Sequence, residues 1–216
     1  KEMKLASEKQ KFEEAAKIRD QIISLEKVIS HRQIFNTLQY QKWGEIEKKL
    51  KEVLKIKSAL TKIEAYDVSN IQGKKATGSI VTFIKGQPNK SFYRRFKIRF
   101  QSTPNDIAML KEVLMRRFKH SEWSFPNLIL IDGGKAHLNA AKLVAKSFKV
   151  KTEILALAKD ERHKVVKVYT IKKKKPILLK KLPSQLGNFL IKVSKEAHRF
   201  AISYHRKLMK LDLLIK

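Results

Sequence analysis

Along the first sixty positions, apolar residues recur at the three- and four-residue spacing of a helix face: Phe12, Ala15, Ala16, Ile22, Leu25 and Ile29. The stretch contains no proline and one glycine, Gly44, so little in it breaks a helix. Charged side chains fill most other positions, which gives thin helices suited to packing on a partner or to spacing two domains. From Ile63 the apolar period shortens to two. Residues 63–69 and 78–85 read as strands, and the turn Gly86-Gln87-Pro88-Asn89 leads to a third over 91–100, marked by alternating Phe92, Arg94, Phe96 and Ile98. Thr103-Pro104 then offers a cap and a first-turn proline for a helix over 105–118. The run Leu128-Ile129-Leu130-Ile131, closed by Asp132-Gly133-Gly134-Lys135, reads as a strand buried on both faces. A helix over 135–148, strands over 153–158 and 165–171, and a long helix from Ser184 to the region of Arg206 complete the chain.

Three strands, a helix, a strand, a helix, a strand and a final helix form the ribonuclease-H-like order. The expected fold is α/β: a three-stranded antiparallel meander extended by parallel strands into a mixed sheet, flanked by helices and preceded by an N-terminal helical hairpin. In that order the first and fourth strands lie side by side and parallel, so their C-terminal ends meet at one sheet edge, where open α/β sheets place their chemistry. Asp67 and Asp132 then become neighbours. Taken alone, an Asp before Gly-Gly is also ordinary turn punctuation.

The charge narrows the field. Against 49 Lys and Arg stand 20 Asp and Glu, a formal net charge of +29, which suits a polyanion such as nucleic acid; the preference for Lys over Arg leaves lysine bias of an AT-rich genome open as a second source of charge. With no cysteine, disulfides, thiolate metal sites and cysteine nucleophiles are excluded. No apolar run approaches the roughly 18–20 residues of a membrane span and no signal segment opens the chain, so no membrane association and a cytoplasmic location are expected. The chain starts with Lys rather than Met, which points to a fragment. Its 216 residues suffice for one good core with a small appendage.

Two adjacent carboxylates repel and raise one another's pKa unless a cation intervenes. Hard Mg²⁺ or Mn²⁺ suits carboxylate oxygens and can align a phosphodiester for hydrolysis. A third group is expected from the last helix, where Ala197, Ala201 and Tyr204 share a packed face and His198 lies at its edge, with His205 as the rival.

The segments Tyr66-Asp67-Val68-Ser69-Asn70, Leu130-Ile131-Asp132-Gly133-Gly134-Lys135 and Glu196-Ala197-His198-Arg199-Phe200-Ala201-Ile202, with Tyr204-His205-Arg206, closely resemble the C-terminal half of the UvrC family, incision subunits of bacterial nucleotide excision repair. Tyr93-Arg94-Arg95-Phe96-Lys97-Ile98 and Asn105-Asp106-Ile107-Ala108-Met109-Leu110 agree with it. So do Phe12-Glu13, Ala15-Ala16, Arg19-Asp20 and Ile22, which look like the UVR motif. The resemblance implies a hairpin over 1–35 that binds UvrB through Phe12, Ala15, Ala16, Arg19 and Ile22, and a helical linker over 36–62. It further implies an RNase H-like endonuclease domain over 63–210 and a tail over 211–216. The domain would cut damaged double-stranded DNA on the 5′ side of a lesion, with UvrA involved indirectly. The family triad falls on Asp67, Asp132 and His198, which would hold Mg²⁺ or Mn²⁺. Asp106 matches a further acidic position, near the site or serving only its helix dipole. Lys135, Arg199, Arg95 and Arg206 are the candidate DNA contacts.

The chain departs from the family at Ala136, where glycine is usual, and at Ser194-Lys195, where Arg-Asp is common. The family's nuclease domain for the 3′ cut and its helix-hairpin-helix pair have no counterpart here, so weak DNA binding and poor incision are expected of this piece alone. Two other readings stay open: an RNase H-fold nuclease of resolvase type, and a nuclease-dead basic DNA-binding scaffold. The run Lys172-Lys173-Lys174-Lys175 reads as a solvated loop, and Trp43, Trp123 and Phe125 as core or interface aromatics.

Overall fold

The computed structural model describes residues 2–69, 76–99 and 105–214, and the side chains within them except at 27–41, 69 and 204–214. The chain forms two compact units, Lys1–Glu45 and Ile46–Lys216. Among the described residues no helix is long and apolar enough to cross a membrane.

Helix α1 (Glu2–Glu8) turns at Gln10, whose φ is 58°, into α2 (Phe12–Leu54), whose residues up to Glu45 belong to the first unit. Bonds from Gln10 N to Ser7 O (3.0 Å) and Lys11 N to Ala6 O (2.9 Å) close the turn. Phe12 and Leu25 are 67% and 62% exposed, so this unit presents apolar side chains that its own fold leaves open. Ala15 and Ala16 are half-buried, Ile22 is exposed, and Arg19 pairs with the adjacent Asp20 at 2.9 Å.

The second unit is built on one sheet: β1 (Lys62–Ser69), β2 (Thr77–Ile84), β3 (Gln87–Pro88), β4 (Arg94–Lys97), β5 (Leu128–Asp132), β6 (Glu153–Lys159), β7 (Val165–Thr170) and β8 (Ile177–Leu178). Its order is β3-β2-β1-β5-β6-β7-β8, with β4 also on β2. The pairs β1–β5 and β5–β6 are parallel; β1–β2, β2–β4, β6–β7 and β7–β8 are antiparallel. Helices α3 (Asp106–Lys119), α4 (Lys135–Ser147) and α5 (Ser184–Leu214) complete it.

Strand alternation decides which helix each side chain meets. Tyr66, Ile80, Ile129 and Ile131 point to one face, against Leu110, Val113, Leu114, Leu138, Ala141 and Val144 of α3 and α4. α3 comes close because β2 carries Gly78 there: a Cβ at that position would lie 2.3 Å from Val113 Cγ2. α5 packs on β1 and β2, with Phe189 edge-on to Phe83 at 6.2 Å and Leu186, Leu190, Val193, Ala197 and Ala201 buried. Burying a side chain of this size contributes roughly 1.5–3 kcal/mol, so two such layers hold the sheet between them.

Three local expectations need correction. The hairpin turn lies at Lys85-Gly86, φ 47° and 76°, rather than over 86–89; both residues sit in the left-handed conformation that tight hairpins require. The third strand is not continuous over 91–100: Asn89 caps a single 3₁₀ turn at Lys90–Phe92, its side chain accepting from Ser91 N, and separates β3 from β4. The helix after it is capped by Asn105, whose Oδ1 accepts from Ala108 N at 3.0 Å; Thr103 and Pro104 lie outside the described residues. The strand β8 and a second 3₁₀ turn, Leu179–Lys181, add to the predicted elements.

Candidate active site at the strand ends

β1 and β5 run parallel in register, with Tyr66 beside Ile131 as the last pair. The next residue on each strand is an acid, Asp67 and Asp132. Because Tyr66 and Ile131 face α3 and α4, both acids turn to the opposite face, the one α5 covers. After Asp132 the chain must leave at once, and Gly133 makes this possible. Its φ is 146°, and a Cβ there would meet the His137 ring at 2.6 Å. Gly133 N donates to Leu157 O at 3.0 Å, and α4 begins at Lys135.

His198 comes from α5, with Nδ1 3.2 Å from Asp67 Oδ2 and a side chain 57% exposed. Asp67 itself is only 5% exposed. Burial first, and the Asp132 carboxylate second, push its pKa up; the hydrogen bond and charge of His198 and the charge of Lys159 pull against them. Lys159 Nζ is ion-paired to Asp132 Oδ2. Asp67 thus meets His198 by a hydrogen bond and Asp132 through its charge, and a fourth residue, Lys159, joins through Asp132.

Lys159 was not among the predicted residues. It ends β6, the strand parallel to β5, so the same strand-end logic that found Asp132 applied to it. The pairing with β7 slips between Ala158 and Lys159, with the extra residue, Val166, on β7; Lys159 follows plain alternation, two residues after Leu157, the partner of Asp132, and so shares that acid's face.

A second cluster secures α5 over the site. Tyr93 Oη donates to Glu196 Oε1 at 2.9 Å, and its ring meets Phe200 edge-on at 4.9 Å. Arg199 binds Glu196 through both Nε and a terminal nitrogen at 2.7 Å, and Arg95 lies over Phe200 at 4.4 Å while donating to Ser203 Oγ at 2.9 Å. Two of the predicted DNA contacts are therefore engaged within the protein. Burial pushes the Tyr93 phenol up, helped by its bond to Glu196, and Arg199 holds the Glu196 carboxyl below its usual range. Lys135 is exposed at the start of α4. Asp106 is exposed in the first turn of α3, where a carboxylate complements the helix dipole, and no hydrogen bond or ion pair ties it to Asp67, Asp132 or His198. The side chains of His205 and Arg206 lie outside those described.

Among the described residues no three His, Asp or Glu side chains stand as a ready metal cluster. Each acid instead has its own partner. The donor set still suits a hard cation: two carboxylates on one face of adjacent strand ends, one of them buried and disfavoured as an anion by the other.

The sheet order and its parallel central strands are those of an RNase H-like domain. The profile of the UvrC RNase H endonuclease domain matches residues 51–202, and that of the UvrB/UvrC motif matches residues 1–28. The chain belongs to the UvrC RNase H endonuclease domain family. UvrABC system protein C of Desulfotalea psychrophila is 39% identical over 170 residues, covering 77% of this chain and 28% of the relative. That of Dictyoglomus thermophilum is 42% identical over 168 residues, covering 76% and 27%. The chain thus spans under a third of the curated relatives it matches. Among solved structures, the catalytic domain of human endonuclease V aligns with TM-score 0.43 at 13% identity, covering 78% of this chain and 96% of that one.

Proposed function

We propose that this chain is a Mg²⁺- or Mn²⁺-dependent endodeoxyribonuclease region that makes the incision 5′ to a lesion in damaged double-stranded DNA. The observation that carries the reading is the meeting of Asp67 and Asp132 at adjacent parallel strand ends within the matched segment, with Asp67 burdened by Asp132's charge. A bound divalent ion would supply Lewis-acid charge at the scissile phosphate and make a water acidic enough to attack it. Asp67 and Asp132 would hold that ion, with Lys159 giving up its place on Asp132. His198 braces Asp67 through Nδ1 and keeps much of its ring open to solvent, so it can complete the ligand set or pass a proton. The bond from Tyr93 to Glu196 fixes the turn of α5 that carries His198. The exposed Phe12 and Ile22 support UvrB as the partner of the first unit, with UvrA acting indirectly.

The test is nicking of a supercoiled plasmid in Mn²⁺ by the chain and by Asp132→Asn. Loss of a ligand to the ion removes several kcal/mol of transition-state stabilisation, so nicking should fall by about a thousandfold or more while DNA binding stays. Undiminished nicking by the variant would sink the proposal. A non-catalytic scaffold predicts no Mn²⁺-dependent nicking by either protein.

A further inference from the structure

Beside the acid pair lies a cavity of about 340 Å³ lined by Lys159, His163, Lys164, Val165, Ile191, Ser194, Lys195 and His198. Two of these, Lys159 and His198, are the side chains already paired with Asp132 and Asp67. The other basic residues, His163, Lys164 and Lys195, form no ion pair with any described carboxylate, and they belong to no part of the site above. A cavity whose cations lack anions is built for an anion from outside.

The β6–β7 turn that brings two of them is organised for the purpose. Asp160 Oδ1 accepts from Arg162 N at 3.0 Å and Lys164 N at 2.9 Å, which turns that carboxylate into the loop's own backbone. His163 is held at φ 57°, a left-handed conformation that a non-glycine residue adopts only under backbone strain. Lys195 comes from the opposite side, on α5, one helical turn before His198. Val165 and Ile191 give the cavity an apolar floor, and Lys164 and Lys195 stand exposed at its rim, where an anion from solvent can reach them.

We propose that this cavity seats a backbone phosphate of the DNA strand, flanking the bond to be cut, with Lys164 and Lys195 as its principal cations. This rests on the nuclease reading for the identity of the polyanion, and it adds a specific subsite next to the acids. Unlike the diffuse positive charge of the chain, it makes the response to charge removal depend on position.

The experiment compares the full chain with Lys164→Ala/Lys195→Ala and with a control pair, Lys173→Ala/Lys174→Ala, which removes the same charge from the exposed basic loop. Binding of a fluorescent DNA duplex is measured in EDTA across a range of KCl. The pocket pair should bind about tenfold more weakly and lower the slope of log affinity against log salt by about one, as when a single phosphate is no longer neutralised by the protein. The control pair should stay within about twofold. Equal weakening by both pairs, or no change in the pocket pair, overturns the subsite. A single methylphosphonate stepped along the strand should find one linkage that weakens the unaltered chain and leaves the pocket pair unaffected; no such linkage also overturns it. Because binding is read without cutting, failure of the nuclease reading shows separately, as a chain that binds through the pocket yet never nicks in Mn²⁺.

Discussion

Glu64 and Asp67 stand three residues apart on β1, and both are almost fully buried, at 2% and 5% exposed. Their spacing puts them on opposite faces of the sheet. Glu64 points toward α3 and is fully compensated: Arg117 reaches both its oxygens at 2.9–3.2 Å, Tyr66 Oη donates at 2.8 Å, and Lys62 Nζ is 3.4 Å away. Arg117 also donates to Ser124 O at 2.8 Å, so the guanidinium has further partners. Asp67 points toward α5 and meets a second carboxylate, with one histidine and a neighbour's lysine as partial relief. The comparison separates two uses of a buried acid. A charge that the fold neutralises ties elements together, whereas one left in excess makes a place for a cation or for protons.

Breaking the neutralised cluster gives the largest expected effect. Arg117→Ala leaves Glu64 buried without its main partner, and removing one member of a buried pair costs about 3–5 kcal/mol. The urea midpoint should fall accordingly. Arg117→Met combined with Glu64→Leu should recover most of that loss, because well-packed apolar replacements of a buried ion pair are often neutral. A loss below about 1 kcal/mol for Arg117→Ala would show that the two acids on β1 do not differ in the way described.

This contrast was only half legible in the sequence. The change of period at Ile63 and the order of elements gave the sheet, and the parallel pairing of β1 with β5 then brought Asp67 to Asp132. His198 was legible as an edge residue of a packed helix face, sharpened by the family resemblance. The Glu64–Arg117 cluster was hidden, because Lys62 and Glu64 alternate like the solvent side of a strand and Arg116-Arg117 reads as a basic helix end. Only the way α3 lies on β1 distinguishes a buried arginine from an exposed one. Lys159 reads as an ordinary charged strand end until the pairing of Leu157 with Asp132 puts it on that acid's face, and the break in the third strand was hidden by a single Asn89 cap.

A smaller effect comes from trimming the cluster rather than breaking it. Tyr66→Phe removes one hydrogen bond to a carboxylate, about 1.5 kcal/mol at neutral pH. Burial, then the charge of Glu64, push the Tyr66 phenol well above its usual value of about 10. Above that value the unfolded chain releases the phenol proton while the folded chain keeps it, so the unaltered protein loses stability as pH rises. The variant has no phenol to titrate, and the gap between the two should narrow above pH of about 10. Burial lowers the pKa of Lys62, which works in the opposite direction, but Lys62 is present in both proteins and drops out of the difference. A gap that stays constant into strong alkali would mean that the phenol is not sealed with Glu64.

The smallest expected effect on folding has the opposite sign, and it bears most directly on the uncompensated acid. Asp67→Asn removes a carboxylate whose ionised form is disfavoured by burial and by Asp132, while leaving an amide oxygen to accept from His198. Metal-free stability should therefore rise slightly at neutral pH. The sign follows from the raised pKa: between the ordinary aspartate value and the folded one, the folded chain binds a proton that the unfolded chain has lost, so the unaltered protein weakens as pH rises through that range. Below the ordinary value Asp67 is protonated in both states and the advantage of Asn should disappear. Adding Mn²⁺ should reverse the order, because an ion that binds only the folded chain stabilises it by mass action and the variant has lost a ligand. Thermal midpoints with and without Mn²⁺, at acid and neutral pH, read all of this without any cutting. If Asp67→Asn destabilises the metal-free chain as Arg117→Ala does, Asp67 belongs with Glu64 among the neutralised charges, and the excess negative charge at the strand ends does not exist.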